Sequence, residues 1–370
     1  MTETRNRLAS TPASASVSTT ASVRRRGVVR LGSLSFLVAP RTVIVGVVVT
    51  ALALVLFAAG IGVGDYPLSA IDVGRILLGG GTRVENVIVF DVGLPRALVA
   101  LLVGVGLGLS GALTQTIARN PLATPDVLGI TAGASAAAVF GIAFGSGWGS
   151  WFADVGTPIS ALVGAGIGAL LMYLLAWRGG IDAFRLVLVG VALTWVFQAL
   201  VAFGLTRARI NDVGRAQRWL IGSVSDATWA SVTTLSVTLV AAVIAVTAVR
   251  RGSGVLGLGE DLARGLGVRT SGVTAVALVV AVVVAAITVS AAGPIAFVAL
   301  LAPQIALRLC ATPAPPPIIS GIVGGVLVVG SDLLCRSLLP AGLSVGVVTA
   351  GIGGPFLIYL MIAVSRKASA

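Results

Sequence analysis

The chain has 370 residues, 57% of them hydrophobic and 10% charged, with a mean hydropathy of +1.06. That balance excludes a soluble globular domain, whose surface needs about 25% charged residues, and points to an integral membrane protein. The formal charge of +12 comes with no basic patch interleaved with aromatics, so it records orientation in a membrane and excludes nucleic acid as a partner.

Residues 1–40 are rich in Ser, Thr, Ala and Arg, lack apolar periodicity and read as a flexible cytoplasmic tail. An organelle transit peptide has a similar composition, but the seven arginines up to Arg41 lead directly into a full-length apolar segment with no small-residue cleavage site after it. Ten apolar segments follow, at about 43–63, 97–117, 127–145, 157–177, 186–206, 229–249, 271–292, 294–310, 318–339 and 345–364, and the eighth is short of the roughly 20 residues a span needs. The expected fold is therefore all-α, with about ten transmembrane helices in one domain over 41–366. An excess of arginine inside puts the tail in the cytoplasm, and an even number of spans returns Arg366 and Lys367 to the same side.

Asp65-Tyr66-Pro67 opens the first outside loop as a cap and an early helical proline, followed by a short amphipathic helix on the surface. Leu94-Pro95-Arg96 starts the second segment, which continues through Gly104, Gly106, Gly108, Ser110, Gly111 and Gln115. These glycines, with Gly164, Gly166 and Gly168, let apolar helices approach closely. A glycine-rich phosphate cradle is excluded, because the one lysine, Lys367, has no glycine-rich loop before it. Asn120-Pro121-Leu122-Ala123 and Pro125 make a tight inside turn. The inside loop before segment five ends at Ala183-Phe184.

The loop after segment five carries Arg207, Arg209, Arg215 and Arg218 on the side that should be poor in arginine. Either the span count is off by one or these charges act on the outer face; a solvated loop is the plain alternative, since exposed ion pairs contribute about 0–1 kcal/mol each. Trp219 then sits where an interfacial anchor belongs. The stretch Gly254 to Val268 follows, with Leu258, Leu262 and Leu266 on one helical face, Glu260 and Asp261 in the first turns, Arg264 near the end and Gly267 as a C-cap. It either rests on lipid head groups or docks on a protein, and its acidic centre weighs against anionic lipid.

Ala292-Gly293-Pro294-Ile295-Ala296-Phe297-Val298 and Pro303-Gln304 suggest a broken or re-entrant helix, tolerated in a membrane only under protein or water cover. Asp332 is the one carboxylate well inside an apolar segment, and Arg336 four residues on is its expected partner. With no histidine and only Cys310 and Cys335 as thiols, no side-chain metal or haem site is expected, and both cysteines read as buried apolar residues.

From about residue 91 to 362 these motifs, with Leu343-Ser344-Val345-Gly346 and Gly354-Pro355-Phe356 at the end, resemble the FecCD/BtuC-like family of ABC importer permeases for iron-siderophores, haem and cobalamin. The ferric-siderophore members are the most similar. The resemblance implies a type II ABC importer permease fold in the bacterial cytoplasmic (inner) membrane, both termini cytoplasmic, working by alternating access without catalysis. It implies two ATP-binding cassette ATPase subunits that hold ATP and Mg, a second permease subunit, identical or a sister, and an extracytoplasmic substrate-binding protein, with no cofactor on this chain. It gives ATPase coupling to Leu258, Gly259, Glu260, Asp261, Leu262, Ala263, Arg264, Leu266 and Gly267, and binding-protein docking to Arg96, Arg336, Arg207, Arg209, Arg215 and Arg218. It gives a cytoplasmic gate to Ala183 and Phe184. Departures are Gly93 where a second arginine is common, Ala296 and Ala299 where glycine is usual, and Gln304 where a histidine follows the proline. Cobalamin or haem cargo stays open within the class. A stand-alone secondary transporter is the reading from another class, but it needs intramembrane acids that the spans, Asp332 apart, hardly offer.

Overall fold

The computed structural model describes residues 27–31, 34–64, 66–145, 156–176, 183–256, 265, 270–339 and 343–368. The first described residues form an antiparallel hairpin, β1 (Gly27–Leu31) on β2 (Leu34–Val38), with Gly27 opposite Val38. This pairing falls within the stretch read from sequence as a flexible tail. Its Val, Leu and Phe residues fit a pleated ribbon.

The helices are α1 (Pro40–Gly62), α2 (Ala70–Leu77), α3 (Arg83–Val87), α4 (Leu94–Ala118), α5 (Ile130–Phe144), α6 (Thr157–Ala176) and α7 (Ala183–Arg207). They continue with α8 (Ile210–Ile221), α9 (Trp229–Leu256), α10 (Thr270–Ala292), α11 (Val298–Cys310), α12 (Pro317–Ser337) and α13 (Val345–Ala368). The short surface helices α2 and α3 each begin with a capping box, Ser69 with Asp72 and Thr82 with Glu85.

Among the described residues eight helices are long and apolar enough to cross a membrane, and α5 and α11 are shorter apolar helices. At 1.5 Å per residue these two reach only about 20 Å, against a hydrocarbon core of about 30 Å. Most residues of both are buried among the other helices, so protein covers much of their length, while Phe144 and Leu309 near their ends stay exposed. With α1, α4, α6, α7, α9, α10, α12 and α13 they give the ten apolar elements that the sequence sets out.

The expected break near Gly293 is a reversal. α10 stops at Ala292, Gly293 and Phe297 take positive φ (+69° and +66°), and α11 runs back from Val298. The turn is pinned by Ser223 N–H donating to the Ala292 carbonyl at 2.8 Å.

α4 is the most enclosed span and sits at the centre, against α9, α10, α11 and α12. Glycine allows this. Gly104 lies on the backbone of Gly324, Gly108 on the Ser320 carbonyl and Gly111 on the Ala299 carbonyl, so that a Cβ at any of the three would overlap backbone of α11 or α12. Gly133 of α5 and Gly164 of α6 meet in the same way. Gly166, read from sequence with the others, faces open space.

Candidate functional site

Charge is concentrated at two ends of the bundle. At the end where α1 finishes and α4 begins, Asp332 of α12 is buried, with 1% of its side chain exposed. Its Oδ1 accepts from Arg96 Nε at 3.2 Å and Nη2 at 2.8 Å, and its Oδ2 accepts from Arg336 Nη2 at 2.7 Å. Arg336 also donates to the carbonyls of Gly60 and Val63, which the end of α1 leaves without helical partners. One carboxylate thus ties α1, α4 and α12 together, and two guanidinium groups against it leave the cluster one positive charge in excess. A buried carboxylate persists only when it is paired and hydrogen-bonded, and here both conditions hold.

The same end of the bundle carries the other arginines singled out from sequence. Arg207 ends α7, its guanidinium 5.6 Å from the Phe203 ring centroid. Arg209 is the N-cap residue of α8, and Arg215 pairs with Asp212 at 3.5 Å. α8 turns Ala216 inward and leaves all four arginines, Arg218 included, exposed. These four are exposed, whereas Arg96 and Arg336 are a largely enclosed pair.

A structural irregularity marks the approach to Arg96. Ile88–Gly93 widen into a π-helix in which Leu94 N–H reaches back to Val89, and because Pro95 has no N–H the Phe90 carbonyl lacks the donor that this five-residue register would give it. The indole N–H of Trp229, first residue of α9, donates to the freed Phe90 carbonyl at 3.0 Å. Trp229→Phe keeps an aromatic ring and removes this bond. Thermal unfolding in detergent is expected to show a loss of about 1 kcal/mol, or about 2–4 °C in Tm, while Trp195→Phe, at an exposed site on α7, leaves Tm unchanged.

At the opposite end Gln304 Nε2 donates to Gln115 Oε1 at 2.7 Å, and Gln115 Nε2 to the Leu300 carbonyl at 3.2 Å, both side chains buried. Arg308 donates to the Gln304 carbonyl at 3.0 Å and lies over the Phe356 and Tyr359 rings of α13. Arg41 caps the last carbonyls of α11 through Leu309 at 2.7 Å and Arg308 at 3.3 Å. Arg308 stands in the last turn of α11, where a cation suits the helix dipole.

α9 ends and α10 begins at this second end. The coupling residues Leu258, Gly259, Glu260, Asp261, Leu262, Ala263, Arg264, Leu266 and Gly267 lie outside the described residues; of that stretch only Gly265 is described, and it is exposed. Ala183 and Phe184 open α7, with Phe184 exposed. Among the described residues no group of three or more His, Cys, Asp or Glu side chains is placed to hold a metal ion.

A sequence model of the FecCD transport family matches residues 51–363. The chain belongs to that family. This permease is 35% identical to the ferric enterobactin transport system permease protein FepG of Escherichia coli over 309 residues, covering 83% of this chain and 92% of the relative. It is 34% identical to the iron(3+)-hydroxamate import system permease protein FhuG of Bacillus subtilis, covering 87% and 97%, and 38% identical to the achromobactin transport system permease protein CbrC of Dickeya dadantii, covering 86% and 91%. Among solved structures it superposes on a metal-chelate type ABC transporter chain in an inward-facing conformation, with a TM-score of 0.73 and 26% identity, over 87% of this chain and 99% of that one. The permease is thus a multi-pass transport subunit with an all-helical membrane domain and not an enzyme, as its motifs led one to expect.

Two features of the permease were not read from its sequence. The Arg96–Asp332 bond joins residues 236 positions apart, and the Gln115–Gln304 bond residues 189 apart. For the first, the available signal was an apolar segment holding a carboxylate whose local partner, Arg336, is also needed elsewhere. For the second there was none beyond two polar side chains in apolar segments.

Proposed function

We propose that this permease forms the membrane pathway of a bacterial ABC importer for ferric siderophores, working by alternating access. The observation that carries the cargo is that relatives matched over more than nine-tenths of their length are named for ferric enterobactin, iron-hydroxamate and achromobactin transport. Two permease subunits, identical or sister chains, enclose the pathway in the cytoplasmic membrane with both termini inside. Two ATPase subunits that bind ATP and Mg dock on Leu258 to Gly267, and Ala183 and Phe184 border the inner gate. A substrate-binding protein docks outside on Arg96, Arg336 and the α8 arginines. The positive surplus at that end supports this reading, since charge complementarity speeds encounter and fixes orientation. The protein does no bond chemistry; what its partners bind shifts the population between inward-open and outward-open states.

The test is affinity purification of the tagged chain in mild detergent, followed by uptake of ferric enterobactin and ferric hydroxamate in cells lacking the endogenous permease. An ATPase subunit recovered with the chain, together with restored uptake of one chelate, is the expected result. A chain recovered alone and uptake of neither chelate would sink the reading and favour a stand-alone transporter; restored cobalamin uptake alone would change the cargo.

A further inference from the structure

We propose that the N-terminal hairpin is an interfacial anchor for anionic phospholipid, its apolar register face laid into the inner leaflet and the arginines around it set against the headgroup phosphates. This rests on the reading above that places the N-terminus inside, and it gives a partner to a stretch that the family match, which begins at residue 51, does not cover.

The register sorts the hairpin into two unlike faces. Gly27 pairs with Val38, Val29 with Phe36 and Leu31 with Leu34 on one face, whereas Val28 with Leu37 and Arg30 with Ser35 share the other. The first face thus gathers Val29, Leu31, Leu34, Phe36 and Val38, and the only charge of the two strands stands on the second. A two-stranded hairpin alone in water is marginal and needs a further layer against its apolar face. The described helices supply little of it, because β1 and β2 pack chiefly on each other. The unpaired backbone groups along both outer edges exclude the hydrocarbon core, where no water could satisfy them, and leave the headgroup level.

Position and charge then select lipid. β2 ends at Val38 and α1 begins at Pro40, so one residue separates the hairpin from a span. Val43, Ile44, Val47 and Val48, near that end of α1, are exposed and give the bilayer an apolar side to cover. Arg41, exposed at the junction, is held by the Leu309 and Arg308 carbonyls, and no ion pair joins it to a carboxylate among the described residues. Up to Arg41 the chain has seven arginines against one acid, Glu3. Arg24, Arg25 and Arg26 lie outside the described residues and enter by charge alone. Each arginine near an anionic surface strengthens binding about fivefold, and attachment to a span already holds the segment at the membrane.

The experiment reconstitutes the full-length permease in nanodiscs of phosphatidylcholine alone, or of phosphatidylcholine and phosphatidylglycerol in equal parts, and follows backbone hydrogen exchange by mass spectrometry. Amides of β1 and β2 are expected to exchange at least about fivefold more slowly with phosphatidylglycerol present, an effect that high salt weakens. A variant carrying Arg24→Gln, Arg25→Gln and Arg26→Gln is expected to exchange at rates within about twofold of each other in the two lipids. Phe36→Ser is expected to lose most of the protection. In both variants α12 should exchange as in the parent, which reports an intact bundle. Equal exchange of the parent hairpin in the two lipids overturns the proposal, as does protection that arises only when the ATPase subunit is added or when each disc holds two copies. Parent-like protection in Phe36→Ser overturns the insertion of the apolar face. An N-terminal fusion to green fluorescent protein, which fluoresces only when left in the cytoplasm, tests the reading beneath. A dark fusion sinks the inside placement, whereas a bright fusion without lipid dependence sinks the anchor alone.

Discussion

Gly111→Val is expected to prevent the bundle from closing. Pro303 has no N–H, so the Ala299 carbonyl four residues earlier in α11 lacks its helical donor, and Gly111 of α4 lies directly on that carbonyl. A side chain there would overlap backbone, which cannot swing aside as a flexible side chain can. The backbone of α4 covers a carbonyl that lipid could not satisfy. Forced separation of α4 from α11 would leave that carbonyl bare and open the bond between Gln115 and the Leu300 carbonyl beside it. Overpacking by itself costs about 1–3 kcal/mol, and an exposed polar group in an apolar setting adds about as much again. The measurement is the yield of monodisperse protein in detergent and its Tm, expected to fall by at least about 5 °C if any folded protein is recovered. Gly166→Val, in the open space outside α6, is the control and should change neither. A Gly111→Val protein with the parent's Tm would show that α4 and α11 have room to separate.

Leu262→Asp is expected to abolish uptake while the protein still reaches the membrane. In the proposed coupling helix Leu262 is the middle residue of the apolar face formed with Leu258 and Leu266. A carboxylate at the centre of a buried protein contact loses its hydration without gaining a partner, which costs enough to break a small interface. The expected pattern is normal membrane abundance, loss of the co-purifying ATPase, and uptake below about a hundredth of the parent, a free-energy change of roughly 2.7 kcal/mol or more. Glu260→Arg is expected to act in the same direction by reversing charge in the first turns. Normal uptake in both variants would defeat the coupling assignment and return the stretch to a lipid-surface helix.

These two variants stand on different ground. The reading of the segment carrying Leu262 rests on sequence alone: three leucines four residues apart, acids first, arginine late, glycine last, between two long apolar segments, with Leu262 itself outside the described residues. Gly111 was legible only as one of many small residues. Sequence alone could not separate Gly111, pressed on a carbonyl, from Gly166, which touches nothing.

What the sequence by itself determined is the number and placement of the apolar elements, the family, and the local pair Asp332 with Arg336. Each rests on near neighbours in the chain: runs of about 20 apolar residues, short motifs, or an i,i+4 spacing. What only the tertiary structure decided is which face of each span is covered and which distant polar groups meet. A soluble helix announces its inner face by amphipathic periodicity, but these spans are apolar all round, because lipid and protein neighbours are equally apolar. The inner faces are chosen instead by close backbone approach at glycine and by the need to satisfy each buried polar group. That need brings Arg96 to Asp332, Gln304 to Gln115, and Trp229 to the carbonyl that Pro95 leaves free, across separations of 236, 189 and 139 residues.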